Sequence, residues 1–409
     1  MTTVHRLARA VAALSITLHV SSALAQSALP SPPPPPPSAS PPLVRVYGFV
    51  RPTVAYANSA VESYGRPNAS APTSAANPVA TADVDNPALS FQVAQSRVGL
   101  SIGEGGVVRA KLELDFIDFG RASPTVAAIP RLRIASVEWA INPQTSVFAG
   151  QMWDVVAPLM PHHNNVVGAN FQAGNLGFMR QQVGVRRAFG PVEARLAVGL
   201  PGANNGPTLT DLEFEGIPTF AASVTWRPST AVMLNAAGLA TQLRFGPGHA
   251  QMAGVGAIDV EITAGPLSLR AEGYVGQNAA NLGMLTLGLG RADVNVQEAG
   301  GWVSAKVTLA QIHAVHFTAG AASVLAPSTV AAGYARATPA AAPARNYGSP
   351  GIEWNAAARL GYALTPVQGL TVSVEPYLFA TRHRLDPVDA STDPTRLAWG
   401  AELNTVYAF

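Results

Sequence analysis

Charged side chains spaced two apart are the residues of this chain that could do chemistry. Arg109, Lys111, Glu113 and Asp115 alternate with Val108, Ala110, Leu112, Leu114 and Phe116. In an extended chain, positions i and i+2 share a face. One side of this segment is therefore ionic and the other apolar. Were the ionic side to meet lipid, each basic residue near the bilayer midplane would cost ~2–4 kcal/mol. It must meet water instead, which makes it the lining of an aqueous passage that attracts or repels dissolved ions. Other chemistries lack their residues. There is no cysteine and no G-x-S-x-G elbow. His162-His163 alone lacks the spacing of a metal-ligand set, and the Gly99–Gly106 run opens no helix that could hold a phosphate. A formal net charge of +2 gives no field for a nucleic-acid partner. The expectation is a protein that is not an enzyme, with no catalytic, cofactor-binding or metal residues.

The same period of two recurs along the chain. Glu193 and Arg195 oppose Val192, Ala194, Leu196 and Val198. Asn355 and Arg359 oppose Trp354, Ala356, Ala358 and Leu360, and Thr371, Ser373 and Glu375 oppose Val372, Val374 and Leu378. Arg131–Ile141 fits less well, since Arg131 and Arg133 share one face and Ser136 and Glu138 the other. A β-bulge, or a Glu138 beyond the membrane, would reconcile it. Tight turns are read at 103–106, Asn142-Pro143-Gln144, Gly190-Pro191, Pro228-Ser229, Gly265-Pro266 and Thr365-Pro366. Longer polar connections fall between them, near 57–88, 119–130, 154–178, 201–216, 278–296, 325–350 and 385–396. His313 and His316 are expected to flank a further turn as solvated residues. This layout predicts an all-β, transmembrane antiparallel β-barrel of about sixteen strands, with short periplasmic turns, long extracellular loops and a hydrated interior rather than a packed core. A composition of 48% hydrophobic and only 12% charged residues agrees with apolar residues alternating with polar ones.

Three regions are expected. Residues 1–25 read as a signal peptide, with His5, Arg6 and Arg9 before an apolar run and an Ala23-Leu24-Ala25 cleavage site. Residues 26–42 hold an unbroken Pro32–Pro37 tract, a stiff periplasmic linker. Residues 43–409 are the barrel. The last strand, Leu397–Phe409, is aromatic on one face and ends on Phe409. That ending resembles the C-terminal sorting signal of outer-membrane barrels, implying the barrel-assembly machinery as a partner and the outer membrane of a Gram-negative bacterium as the location.

Candidate pore-lining side chains are Arg97, Arg109, Lys111, Glu113, Asp115, Arg131, Arg133, Arg180, Arg186 and Arg195. Only two of the 26 basic residues, Lys111 and Lys306, are lysines. Arginine stays charged and offers a planar fork suited to carboxylates. The long connection after Thr145–Trp153 is the candidate constriction loop, through Asp154, His162, His163 and Asn164. Passive diffusion of small hydrophilic solutes, with a preference for anions, is the function these residues suggest. The alternatives are a plugged structural or adhesive barrel and, last, a barrel enzyme.

Val46-Tyr47-Gly48-Phe49-Val50-Arg51, Ser96-Arg97-Val98-Gly99 and Lys111-Leu112-Glu113-Leu114-Asp115-Phe116 occur in order, followed by Arg131-Leu132-Arg133 and Ala149-Gly150-Gln151-Met152-Trp153. This succession resembles the DcaP-like outer-membrane porins. The resemblance implies a homotrimer of sixteen-stranded barrels that passes small, often dicarboxylic, anions. The family's N-terminal helical extension is replaced here by the proline tract, and its frequent Gln-Thr-Trp by Gln151-Met152-Trp153.

Overall fold

The computed structural model describes residues 43–59, 61–63, 66–69, 86–117, 130–164, 170–177, 179–199, 217–244, 250–278, 284–285, 294–336, 352–383 and 395–409. Residues 1–25, expected to be a signal peptide, and the proline tract of 26–42 lie outside these residues. The chain forms β1 (Val44–Val50), β2 (Thr53–Ala57), β3 (Val61–Ser63), β4 (Arg66–Ala69), β5 (Ala88–Gln92), β6 (Arg97–Ile102), β7 (Val108–Asp115), β8 (Arg131–Asn142), β9 (Thr145–Trp153) and β10 (Met179–Phe189). It continues through β11 (Val192–Gly199), β12 (Ile217–Ser229), β13 (Val232–Arg244), β14 (Ala250–Ala264), β15 (Leu267–Gln277), β16 (Gln297–Leu309) and β17 (His313–Val324). Helix α1 (Pro327–Arg336) precedes β18 (Ile352–Val367), β19 (Leu370–His383) and β20 (Thr395–Ala408).

All strands but β3 and β4, which pair with each other, belong to one antiparallel sheet. β1 with β2, and β5 with β6, are halves of single staves, so the closed barrel has sixteen staves. The closing seam joins β1 and β2 to β20. Phe49 lies opposite Ala408 and Val50 opposite Tyr407, and Thr53–Ala57 runs beside Asn404–Gly400. Gly48 and Phe409 exchange two backbone hydrogen bonds of 3.1 and 3.0 Å. The breaks in the two split staves face each other: Arg51 N–H donates to Ser96 Oγ at 2.9 Å, and Pro52, which has no N–H to donate, marks the gap. The step at 93–96 also shifts phase, so Gln92 and then Arg97 both face inward.

Among the described residues, the short reversals that join successive staves lie at the end of the barrel that carries Leu43 and Phe409. Gly103 N–H bonds to Leu43 O at this rim. Gly103 has φ 66°, and a Cβ there would lie 2.5 Å from Val108 O, so the turn demands glycine. Two expected turns are displaced. Pro228-Ser229 and Thr365-Pro366 lie inside β12 and β18, and the chain reverses two to three residues later, at 230–231 and 368–369. Pro376 sits within β19 opposite Ala401. On its other side the paired positions pass from Tyr377 to Val374, so no β18 partner needs its missing N–H. The connection after β17 opens with α1, which the alternation pattern did not announce.

Outward positions carry the exposed apolar side chains, among them Val224, Ile258, Phe317, Leu360, Trp399 and Leu403. The interior departs from the expected hydrated lining over part of its circumference. Ala197, Ala221, Leu239, Val255 and Ala257 face inward from β11–β14, and they pack with Val155, Val156, Leu176, Met284 and Leu285 into a buried apolar cluster. On these strands both faces are apolar at mid-height, so alternation could not separate lumen from lipid.

The seam sets a test. A Cβ on Gly48 would lie 2.3 Å from Arg97 O and 3.1 Å from the Phe409 ring. Gly48→Val should prevent closure, abolishing the faster-migrating folded band on an unheated gel. Deletion of Phe409 removes two hydrogen bonds worth ~1 kcal/mol each and should lower the melting temperature while leaving some folded barrel.

Candidate functional site

The charged face of β7 is one panel of an ionic wall. Two networks stack along it. The upper one lies toward the long-connection end, where Asp115 takes both Nε and Nη2 of Arg131, at 2.8 and 2.6 Å. Arg133 Nε donates to Glu113 at 2.7 Å and its Nη1 to Asp115 at 3.0 Å. Arg97 approaches Glu113 at 3.4 Å and lies over the Phe49 ring. Arg133, Glu113 and Asp115 are almost wholly buried. Removing one member of such a cluster strands a charge, at ~3–5 kcal/mol. Asp154 and Arg180, also buried, approach at 3.9 Å beside it.

The lower network lies near the short turns. Arg109 meets Glu138 at 2.9 Å, Arg186 meets Glu138 and Glu193 at 3.2 Å each, and Arg195 meets Glu193 at 2.8 Å. Ser146 donates to Glu138 at 2.6 Å and accepts from Arg186 at 3.1 Å. These side chains are a third or more exposed in Arg109, Arg186 and Arg195, so the pairs stabilise by only ~0–1 kcal/mol each. A bulge makes both networks possible. The β7–β8 register slips between Glu113↔Ile134 and Leu114↔Leu132, leaving Arg133 as the extra residue. Arg131, Arg133 and Glu138 can then all face the lumen, and Glu138 need not leave the membrane.

The ten wall candidates therefore lie on the inward face of adjacent staves β6–β11. All seven arginines among them reach a carboxylate within 4 Å. Lys111 is exposed, and among the described residues it has no ion-pair partner.

The segment after β9 turns into the lumen and runs along the other wall. Asp154 accepts from Val156 N–H at 3.1 Å and starts the turn. Arg270 on β15 donates to Met160 O. His162 N–H donates to Ser304 on β16, its Nε2 meets Ser268, and its carbonyl accepts from Thr318 on β17. Asn164 N–H donates to Glu375 on β19 at 2.6 Å, and Arg51 donates to Asn164 O. The returning arm docks through Asn355 to Gln172 O and Leu176 N–H to Glu272. Gly174 and Gly320 allow the close approach: a Cβ on either would lie within 2.3 Å of a backbone oxygen. These polar contacts are on β15–β19 and the β1–β2 junction; at the base of the segment Asp154 approaches Arg180 on β10, and Val155 and Val156 join the apolar cluster of β11–β14.

Glu375 is the hub of this docking and was not singled out from the sequence. It is fully buried and accepts from Asn164, from His316 Nε2 at 2.9 Å and from Arg359 Nη1 at 2.8 Å. Arg359 lies over Tyr377 and Phe379, with Glu402 at 3.7 Å. Arg51 also donates to Asn404. The expectation of a solvated His316 is corrected: the ring is buried against Glu375. Parity held the signal, since Val315 and Phe317 are exposed outward and His316 and Thr318 must then face in. His313 is on the outward face, bonded to Tyr362.

Burial pushes His162 down to about 4, helped by Arg270, Lys306 and His316. Burial pushes His163 down to about 3; Glu375 opposes this, while Arg359, Arg51 and His316 reinforce it. Both rings are therefore neutral when docked.

No family model and no curated protein sequence matches the chain. Among solved structures, it is similar to the outer membrane channel DcaP of Acinetobacter baumannii, with a TM-score of 0.66 at 15% identity over 90% of this chain and 97% of that one. The anion-selective porin from Comamonas acidovorans aligns with a TM-score of 0.54 at 13% identity, covering 90% and 99%. Salmonella typhi OmpF, in complex with daunomycin, aligns with a TM-score of 0.54 at 10% identity, covering 90% and 97%. At these identities the likeness is one of fold, the sixteen-stranded barrel of the outer-membrane porins.

Docking of the inward segment should depend on acid and on Glu375. Released histidines titrate near 6.5, so between that pH and the docked values the released state binds more protons. Docking is at full strength above about pH 6.5 and weakens as the pH falls toward 4. Amide exchange across 155–164 should accelerate on going from about pH 7.5 to about pH 4.5, after correction for intrinsic rates. At neutral pH, Glu375→Gln should speed exchange at Asn164 by about tenfold or more. Unchanged protection in both experiments would refute the docking account.

Proposed function

We propose that the protein is an outer-membrane porin that passes small hydrophilic solutes by passive diffusion and prefers anions, small carboxylates included. One observation carries this reading. The inward segment makes its polar contacts along β15–β19, and the wall of β6–β11 carries, among the described residues, eight basic side chains (Arg97, Arg109, Lys111, Arg131, Arg133, Arg180, Arg186 and Arg195) against five carboxylates (Glu113, Asp115, Glu138, Asp154 and Glu193). A barrel of this strand number is wide enough to leave an aqueous channel. A three-charge cationic excess among these residues concentrates anions near the passage. The likeness of fold to outer-membrane channels, one of them described as anion-selective, supports the reading.

A plugged, non-transport barrel is the second reading. The apolar cluster of Val155, Val156, Leu176, Met284 and Leu285 favours it, because it fills part of the lumen. We further propose export by removal of residues 1–25, a periplasmic 26–42 linker, delivery by the barrel-assembly machinery through the Phe409 strand, and a homotrimer in the membrane.

In planar bilayers the refolded protein should give stepwise currents whose reversal potential in a salt gradient has the anionic sign. A cationic sign would refute the anion preference, and stable insertion without current would establish the plugged barrel. On an unheated gel the folded protein should run as a trimer that collapses to monomer on boiling; a monomer-sized band before heating counts against the assembly.

A further inference from the structure

Lys111 differs in kind from every arginine around it. It lies on β7 between Arg109, which belongs to the lower network, and Glu113, which belongs to the upper one. Its cross-strand partners are Ser101 and Ser136, and Ser136 in turn faces Gly150. None of these can balance a charge. Gly150 cannot be replaced by a residue that could, because a Cβ there would lie 2.1 Å from Ala135 O and its φ is +122°. The wall thus holds a gap of small residues between two arginine–carboxylate networks, with one exposed ammonium in it.

Among the described residues each network holds three arginines against two carboxylates, so its one-charge excess is shared among guanidiniums fixed on carboxylates. A lone ammonium presents a net charge that acts over about a Debye length, ~8–10 Å. Lysine is also a flexible, strongly hydrated point charge with three donors. It can hold a passing anion weakly enough to release it, as conduction requires. The other lysine, Lys306, is engaged differently: it faces the docked segment, near enough to oppose protonation of His162.

We propose that Lys111 is the specificity-determining residue of the pore, a transient site for small inorganic and carboxylate anions, while the arginines of the same wall are its framework. This rests on the channel reading given above. It separates residues that sequence position alone places in one class.

The chain has no cysteine, so Lys111→Cys can be read and chemically altered in one folded channel. One charge acting at about 7 Å through water is worth about RT, a factor of about three. The chloride-to-potassium permeability ratio of Lys111→Cys should therefore fall about threefold below wild type. Aminoethyl methanethiosulfonate, which restores a positive charge at the site, should return it. Sulfonatoethyl methanethiosulfonate should push it lower still, and Lys111→Arg should keep the wild-type ratio. A conducting wild type whose ratio is indifferent to Lys111→Cys and to both reagents overturns this inference alone. A wild type without current overturns both it and the channel reading.

Discussion

A backbone N–H or C=O left unpaired in the hydrocarbon core costs several kcal/mol. Everything else in this structure follows from meeting that constraint. A sheet in lipid has no tolerable edge, so its first and last strands must pair. Here β1 and β20 do so, Phe49 and Val50 against Ala408 and Tyr407. The seam is also where the sheet is least regular. The Arg51-Pro52 gap and the 93–96 step sit side by side, and the orphaned Arg51 N–H finds Ser96 Oγ. An irregularity in one stave is tolerable because its neighbour carries a matching one.

Closure moves all electrostatics to the inside. Charges are excluded from the lipid face by their solvation cost, and inward charges on neighbouring staves meet one another. The two walls use this differently. On β6–β11 the carboxylates sit among arginines and lock them flat against the sheet. On β15–β19 a carboxylate takes one arginine, one histidine and one backbone N–H from the inward segment, so the same kind of interaction fastens a loop instead of a wall. Packing assists, through Val156 and Leu176 against the apolar patch of β11–β14. The segment is held by polar bonds at its tip and apolar contacts at its base, which makes its position on one side of the lumen well determined.

Much of this was legible in the sequence where the signal is local. Period-two alternation marked β7, β11, β18, β19 and β20, and the ionic wall was readable because its members come from consecutive staves. The Arg133 bulge was legible as a conflict of parity, although only the register shows which residue is extra. The docking hub was not legible as a unit, since Arg51, Asn164, the β18–β19 hairpin with Arg359 and Glu375, and Asn404 are brought together from four separate parts of the chain. No spacing rule connects them. The apolar patch failed for the opposite reason: Ala197, Ala221, Leu239 and Val255 look like lipid-facing residues on either face. Reading lumen from lipid requires that the lumen be wet, and here a loop keeps part of it dry.

The use of arginine for nearly all inward cations has a physical logic that makes the exceptions informative. A guanidinium can bind two acceptors in fixed directions, as Arg133 does with Glu113 and Asp115, and so can brace neighbouring staves. It performs that task only by spending its charge on fixed partners. An ammonium on a flexible stem braces poorly but keeps its charge available. In a wall built mainly of braces, the position that holds a lysine among serines and glycine is the one where bracing has been given up. What that position gains is an uncancelled field inside the lumen, which is the property a selective passage needs and a framework does not.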